Sequence, residues 1–114
     1  MPTTGKISYS DKGSSPECIV CLHGIGGDEK SFEPQIKELS KIFRVISWNM
    51  PGYNGSVTLE DYTFKNLCLS LDEFLSDLNI KNVTLIGQSI GGMLAQEFYF
   101  RNSSKVKALV LIAT

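Results

Sequence analysis

One serine in this chain has the neighbours that a nucleophile needs. Ser89 stands between Gly87 and Gly91 in the pattern G-x-S-x-G, inside the stretch Val83-Thr84-Leu85-Ile86-Gly87-Gln88-Ser89-Ile90-Gly91-Gly92. The pattern calls for a strand, a sharp turn and a helix, with the serine in a strained backbone conformation at the apex. A side chain at Gly87 or Gly91 would crowd the place where the helix packs back over the strand. Such a turn lifts the hydroxyl off the sheet edge towards a substrate. The helix start behind it offers unpaired N–H groups and the positive end of a dipole to a developing oxyanion. The chemistry this suits is attack of a serine oxygen on a carbonyl. A plainer reading is a glycine-rich strand-to-helix turn with Ser89 as an N-cap, as many layered α/β proteins have. The flanks favour the first reading. Val83 to Ile86 are apolar or β-branched, and Met93, Leu94, Ala95 and Phe98 give a helical face after the turn.

Other residues able to do chemistry are few. His23, the only histidine, opens His23-Gly24-Ile25-Gly26-Gly27-Asp28. Three glycines in four positions mark a loop whose backbone comes close to something or takes positive φ. It reads as an oxyanion loop or as an ordinary strand-to-helix connection. Cys18 and Cys21 form C-x-x-C, with Cys68 the third cysteine. On a strand, residues three apart point to opposite faces, and no second cysteine pair exists. Buried, apolar-like thiols are therefore expected in place of a redox or zinc pair, and no metal site.

The elements that must hold these groups follow from patterning. Lys6 to Ser10 alternates as a short strand, and a turn is expected over Asp11 to Pro16. Glu17 to Leu22 is nearly continuous in apolar residues, as for a parallel strand buried on both faces. Ser31 is the expected cap of a helix with Pro34 in its first turn and an inner stripe of Ile36, Leu39 and Ile42 or Phe43. Arg44 to Trp48 is the next strand, and Asn49 to Ser56 is dense in turn residues. Asp61 to Asn79 carries the longest helical stripe, Phe64, Leu67, Cys68, Leu71, Phe74, Leu75 and Leu78, with Asn79 near the C-cap. The helix after Ser89 runs to the region of Arg101 to Ser104, and Val106 to Ala113 is a last apolar strand. Strands alternating with helices predict an α/β fold with a mostly parallel sheet. In such sheets ligands bind beyond the carboxyl ends of strands. His23 to Gly27, Asn49 to Ser56 and Gln88 to Ile90 all lie at such ends.

The 114 residues amount to one domain, and 42% apolar residues suffice for a core. A net charge of −1 gives no reason to expect nucleic acid or an anionic membrane as partner. No apolar run approaches the ~20 residues of a membrane span. The polar start, Met1 to Lys6, lacks a signal-peptide core, so a cytoplasmic location is expected.

On these motifs the chain resembles the first half of an α/β-hydrolase-fold protein. His23-Gly24-Ile25-Gly26-Gly27, Pro51-Gly52-Tyr53 with Gly55-Ser56, and Gly87-Gln88-Ser89-Ile90-Gly91-Gly92-Met93 follow one another in that family's order over almost the whole chain. It is similar to small esterases, enol-lactonases and carbon–carbon bond hydrolases. Dehalogenases and epoxide hydrolases of the fold carry Asp where this chain has Ser89. The resemblance implies helices on both faces of the sheet and Ser89 as nucleophile. It implies the backbone N–H of Ile90 as one oxyanion donor and that of Ile25 as the second. His23 and Gly24 would be structural residues of their loop, though His23 could also be read as a base. Asn49 departs from the usual Asp and should serve a structural role. No cofactor is implied, and the partner would be a small-molecule acyl substrate.

In this fold the triad runs Ser, then Asp or Glu, then His. After Ser89 the only acid is Glu97 and no histidine follows. The expectation is that residues 1–114 are the N-terminal part of a single domain, cut off after the strand that follows the Ser89 helix and inactive alone. The acid, the base and any lid would lie beyond. The rival expectation is a non-catalytic fragment that binds a ligand or partner. Phosphate or dinucleotide binding is the third: neither glycine loop is G-x-G-x-x-G, and no G-K-[ST] exists.

Overall fold

The computed structural model describes residues 2–114; Met1, the first residue of the polar start, lies outside them. The strands are β1 (Thr3–Thr4), β2 (Ile7–Lys12), β3 (Cys18–Leu22), β4 (Arg44–Trp48), β5 (Val83–Gln88) and β6 (Val106–Ile112). The helices are α1 (Glu33–Leu39), α2 (Phe64–Asp77) and α3 (Ile90–Arg101), with a 3₁₀ turn at Ser103–Lys105 before β6. The strands form one sheet in the order β1-β2-β4-β3-β5-β6. β4, β3, β5 and β6 are parallel, while β1 and β2 run antiparallel at one edge. This is the expected α/β arrangement of a mostly parallel sheet.

Helices cover both faces, and the alternation of side chains along the strands decides which core each one joins. Val20, Leu22, Ile46, Trp48 and Leu85 meet the inner stripes of α2 and α3. Ile19, Cys21, Val45 and Ile86 meet Phe32 and Ile36 of the α1 region. The α2 stripe is as its spacing predicts, with Leu67, Cys68, Leu71, Phe74 and Leu75 buried and Phe64 and Leu78 packed at the margins. Thr63 caps α2 by accepting the Asn66 N–H, and Asn79 stands just beyond the C-cap at φ 57°.

Several expectations need correction. β2 runs on through Asp11 and Lys12, because both residues find antiparallel partners in β4; the Arg44 guanidinium also clamps Asp11 at 2.7 Å. Ser31 does not cap α1. Its hydroxyl accepts the Asp28 N–H at 3.0 Å, Phe32 takes the N-cap position without a side-chain bond, and Pro34 sits in the first turn as expected. α1 ends at Leu39, so the residue that reaches the core beyond it is Phe43, while Ile42 is 69% exposed. On α3 the buried face is Leu94, Ala95 and Phe98; Met93 lies on the flank of that face and is half-exposed. β6 pairs with β5 along one side and stands at the sheet's edge among the described residues.

The connections place the special loops together. From β3 the chain goes through α1 to β4 on one side; from β5 it goes through α3 to β6 on the other. Neighbouring parallel strands whose connections leave in opposite directions open a crevice at their carboxyl ends. β3 and β5 are that pair, with Leu22 opposite Gly87.

Candidate active site

Ser89 follows β5 directly and sits at φ 55° and ψ −121°, a positive φ that a non-glycine residue rarely adopts. Its N–H donates to Ile112 O of β6 at 3.0 Å, and its carbonyl accepts from Gly92 and Met93 as the helix begins. The residue is exposed, and its side chain makes no N-cap bond to the helix, so the plain capping reading does not describe it. The turn closes only because its flanks lack side chains. A methyl group at Gly87 would stand 2.5 Å from Gly91 O, and one at Gly91 would collide with the Leu22 carbonyl.

The glycine loop after β3 lies against this turn. A methyl group at Gly24 would be 3.2 Å from Ser89 Cβ and 3.8 Å from its Oγ. The loop turns on a Gly27 N–H to Gly24 O bond of 3.0 Å, with Gly26 at φ 81°. Positive φ at the third residue of such a turn is what makes glycine fit there. The turn's own bond does not use the Ile25 N–H. The N–H of Ile90, at the first position of α3, likewise has no acceptor inside the helix. Ile25 and Ile90 both line one open cleft of about 400 Å³, whose walls include Met50, Tyr53, Tyr62 and Phe64.

His23 is fully buried beneath the loop. Its Nε2 accepts the Met50 N–H at 3.0 Å and its Nδ1 meets Gly24 O at 2.8 Å. Only the neutral tautomer with the proton on Nδ1 satisfies both partners. Burial pushes its pKa down, against the bond to Gly24 and the charges of Asp28 and Glu29, which pull it up. The lone pair of Nε2 is therefore committed to backbone. Glu97 pairs with Arg101 one turn along α3 at 3.6 Å.

Asn49 is buried at the end of β4. Its Oδ1 accepts the Glu29 N–H at 2.9 Å and its Nδ2 donates to Ser8 Oγ at 2.8 Å. An aspartate could not make the second donation. Cys18 packs towards the α2 side of the sheet and Cys21 towards the α1 side, and burial pushes the Cys21 thiol up to about 12.

The sequence reading missed two groups of residues. Tyr62 and Phe64 join Tyr53 of the Pro51-Gly52-Tyr53 motif in walling the cleft; the concentration of aromatic residues between 53 and 64 is the available signal. Glu29 is 6% exposed, although Asp28-Glu29-Lys30 reads locally as a solvated charge run and offers no signal at all.

A family model described as alpha/beta hydrolase fold matches residues 17–114. The chain is 35% identical over 104 residues to a pimeloyl-[acyl-carrier protein] methyl ester esterase from Pseudoalteromonas atlantica, covering 90% of this chain and 38% of that protein. It is 35% identical over 97 residues to a poly(3-hydroxyalkanoate) depolymerase from Ectopseudomonas oleovorans, covering 84% of this chain and 34% of that one. Among solved structures it superposes on a marine microorganism esterase with a TM-score of 0.89 and 28% identity, over 93% of this chain and 41% of that one. The chain thus spans less than half the length of these relatives.

Proposed function

The chain belongs to the α/β-hydrolase-fold family, and on that footing we propose that it carries the nucleophile portion of a serine hydrolase acting on an ester, lactone or related acyl compound. The observation that carries this reading is the backbone of Ser89, held at φ 55° on an exposed apex between β5 and α3. A turn of that strain is costly and has a use where a hydroxyl must stand clear of the sheet.

In the proposed reaction Ser89 Oγ bonds to the acyl carbon while its proton passes to a base. The carbonyl oxygen takes the negative charge and faces the N–H groups of Ile90 and Ile25, in an oxyanion hole that develops no charge of its own. Collapse expels the alcohol, protonated by the same base, and leaves an acyl-enzyme that water hydrolyses. His23 and Gly24 hold the loop, and Gly87 and Gly91 hold the turn. The apolar walls of the cleft suit a small-molecule acyl substrate. Neither His23 nor Glu97 is placed to serve as the base or its acid. We therefore propose that residues 1–114 alone are inactive and that the working polypeptide supplies both groups elsewhere.

The test uses the polypeptide as its source makes it, with a fluorophosphonate label and a p-nitrophenyl ester. Ser89→Ala should abolish labelling and lower kcat/KM by about a thousandfold or more. Full activity in that variant would reject the nucleophile. A second reading, a non-catalytic binding module, is favoured by the committed lone pair of His23. It is adopted if the natural polypeptide binds acyl compounds but is neither labelled nor active.

A further inference from the structure

Glu29 is a buried carboxylate held by neutral groups. Among the described residues no lysine or arginine pairs with it. Asn54 Nδ2 donates to its two oxygens at 3.2 and 2.9 Å. The Glu29 N–H donates to Asn49 Oδ1, Asn49 Nδ2 donates to Ser8 Oγ, and Ser8 Oγ donates to Asn54 O at 2.7 Å. The four residues form a closed circuit. Ser56 braces it, donating to Asn49 O at 2.6 Å and accepting the Ser8 N–H at 3.0 Å.

The circuit joins two loops that the cleft needs in register. Asn54 and Gly55 have φ of 34° and 94°, and the Ser56 N–H closes their turn on Tyr53 O at 2.8 Å. Two central residues at positive φ make the tight turn that Asn-Gly favours. Tyr53 is the first residue of that turn. Its ring lies 5.0 Å from that of His23, it walls the cleft, and its hydroxyl meets the Gly26 N–H at 3.5 Å. Glu29 follows the glycine loop in the chain. Its main chain is tied to Asn49 and its side chain to Asn54. Removing a carboxylate from water is costly, and apolar packing would hold a turn at lower cost. What the carboxylate adds is direction, because it accepts from one amide in one geometry.

We propose that Glu29 is a positioning residue, which locks the Asn54–Gly55 turn to the glycine loop and so sets where Tyr53 and the Ile25 N–H stand relative to Ser89. The inference rests on the nucleophile reading only for its catalytic consequence. Glu29→Leu fills the site and accepts nothing; Glu29→Gln keeps an oxygen for Asn54. Backbone amide exchange and kinetics with p-nitrophenyl butyrate are both measured on the natural polypeptide. Glu29→Leu should speed exchange at Gly27 and Ser56, whose N–H groups close the two turns, by about tenfold, leaving β3 and β5 unchanged, with Glu29→Gln close to the parent. In the natural polypeptide, kcat should fall about tenfold or more with little change in KM, and Gln should restore it.

Unchanged loop exchange in Glu29→Leu, or equal acceleration throughout the core, overturns the proposal. So does a Gln variant as impaired as Leu. If Glu29→Leu does not fold, Asn54→Gly, which keeps the positive φ and removes the donor, is read against the same outcomes. Loosened loops in a protein that hydrolyses nothing support the positioning and reject the nucleophile.

Discussion

At the scale of single residues, the site is made as much by what is missing as by what is present. Gly24, Gly87 and Gly91 bring three backbones together, and a methyl group at any of them would press on a neighbour. His23 shows the same economy in a polar form. Its two nitrogens serve Gly24 O and the Met50 N–H, and both bonds exist only while the ring is neutral. Burial lowers its pKa in the fold, whereas an unfolded histidine titrates near about 6.5. Above that value both states are neutral and stability is complete. As pH falls below it, the unfolded chain takes up a proton that the folded chain resists, so stability is lost towards the folded pKa. The slope approaches about 1.4 kcal/mol per pH unit at most. Urea midpoints at pH 7.5, 6.5 and 5.5 check this; a flat series would mean that the folded ring takes its proton as readily as the unfolded one and gives up the Met50 bond at no cost.

At the scale of elements, α2 is the one α-helix among the described residues whose N-terminus has a side-chain cap. α2 is held by a single side-chain cap and a seam of apolar residues on one face. Thr63→Ala leaves the Asn66 N–H without its partner and should lower stability by about 1 kcal/mol, seen as a shift in the urea midpoint with no change in slope. An unchanged midpoint would show that water replaces the cap. α1 was the element least visible in the residue pattern. Ser31 looked like its cap because Ser, Pro and an apolar stripe follow one another, yet the Asp28 N–H claims that hydroxyl first. β2 was likewise longer than its alternation suggested, since a strand extends wherever a partner offers bonds, and β4 offers them to Asp11 and Lys12.

At the scale of the whole molecule, the two cores on opposite faces of the sheet determine access. Cys21 is fully buried on the α1 side with its thiol pushed up to about 12 by burial, and Cys68 is buried on the α2 side with its pKa also raised by burial. Cys18 is half-buried at the start of β3. Maleimide at neutral pH should therefore modify one thiol in the folded chain and three after denaturation, since the thiolate is the reactive form. Rapid modification of Cys21 without denaturant, read by peptide mass, would mean that the sheet opens locally between α1 and β3.

The sequence by itself determined the order of elements from β2 onward, the mostly parallel sheet and the three loops at strand ends, while β1 shows no strand pattern of its own. Those features are local: a run of apolar residues, a stripe at helical spacing and a glycine at a fixed offset are all written within a few residues of one another. The tertiary structure alone decided that Gly24 lies against Ser89, that Ile25 and Ile90 share one cleft with Tyr53 and Tyr62, and that Glu29 is buried. The reason is distance along the chain. Ser8, Glu29 and the pair Asn49 and Asn54 belong to three separate segments, and a hydrogen-bond circuit among them has no period or spacing to betray it. It exists only once β2, β3 and β4 are paired and their loops have nowhere else to place their polar groups.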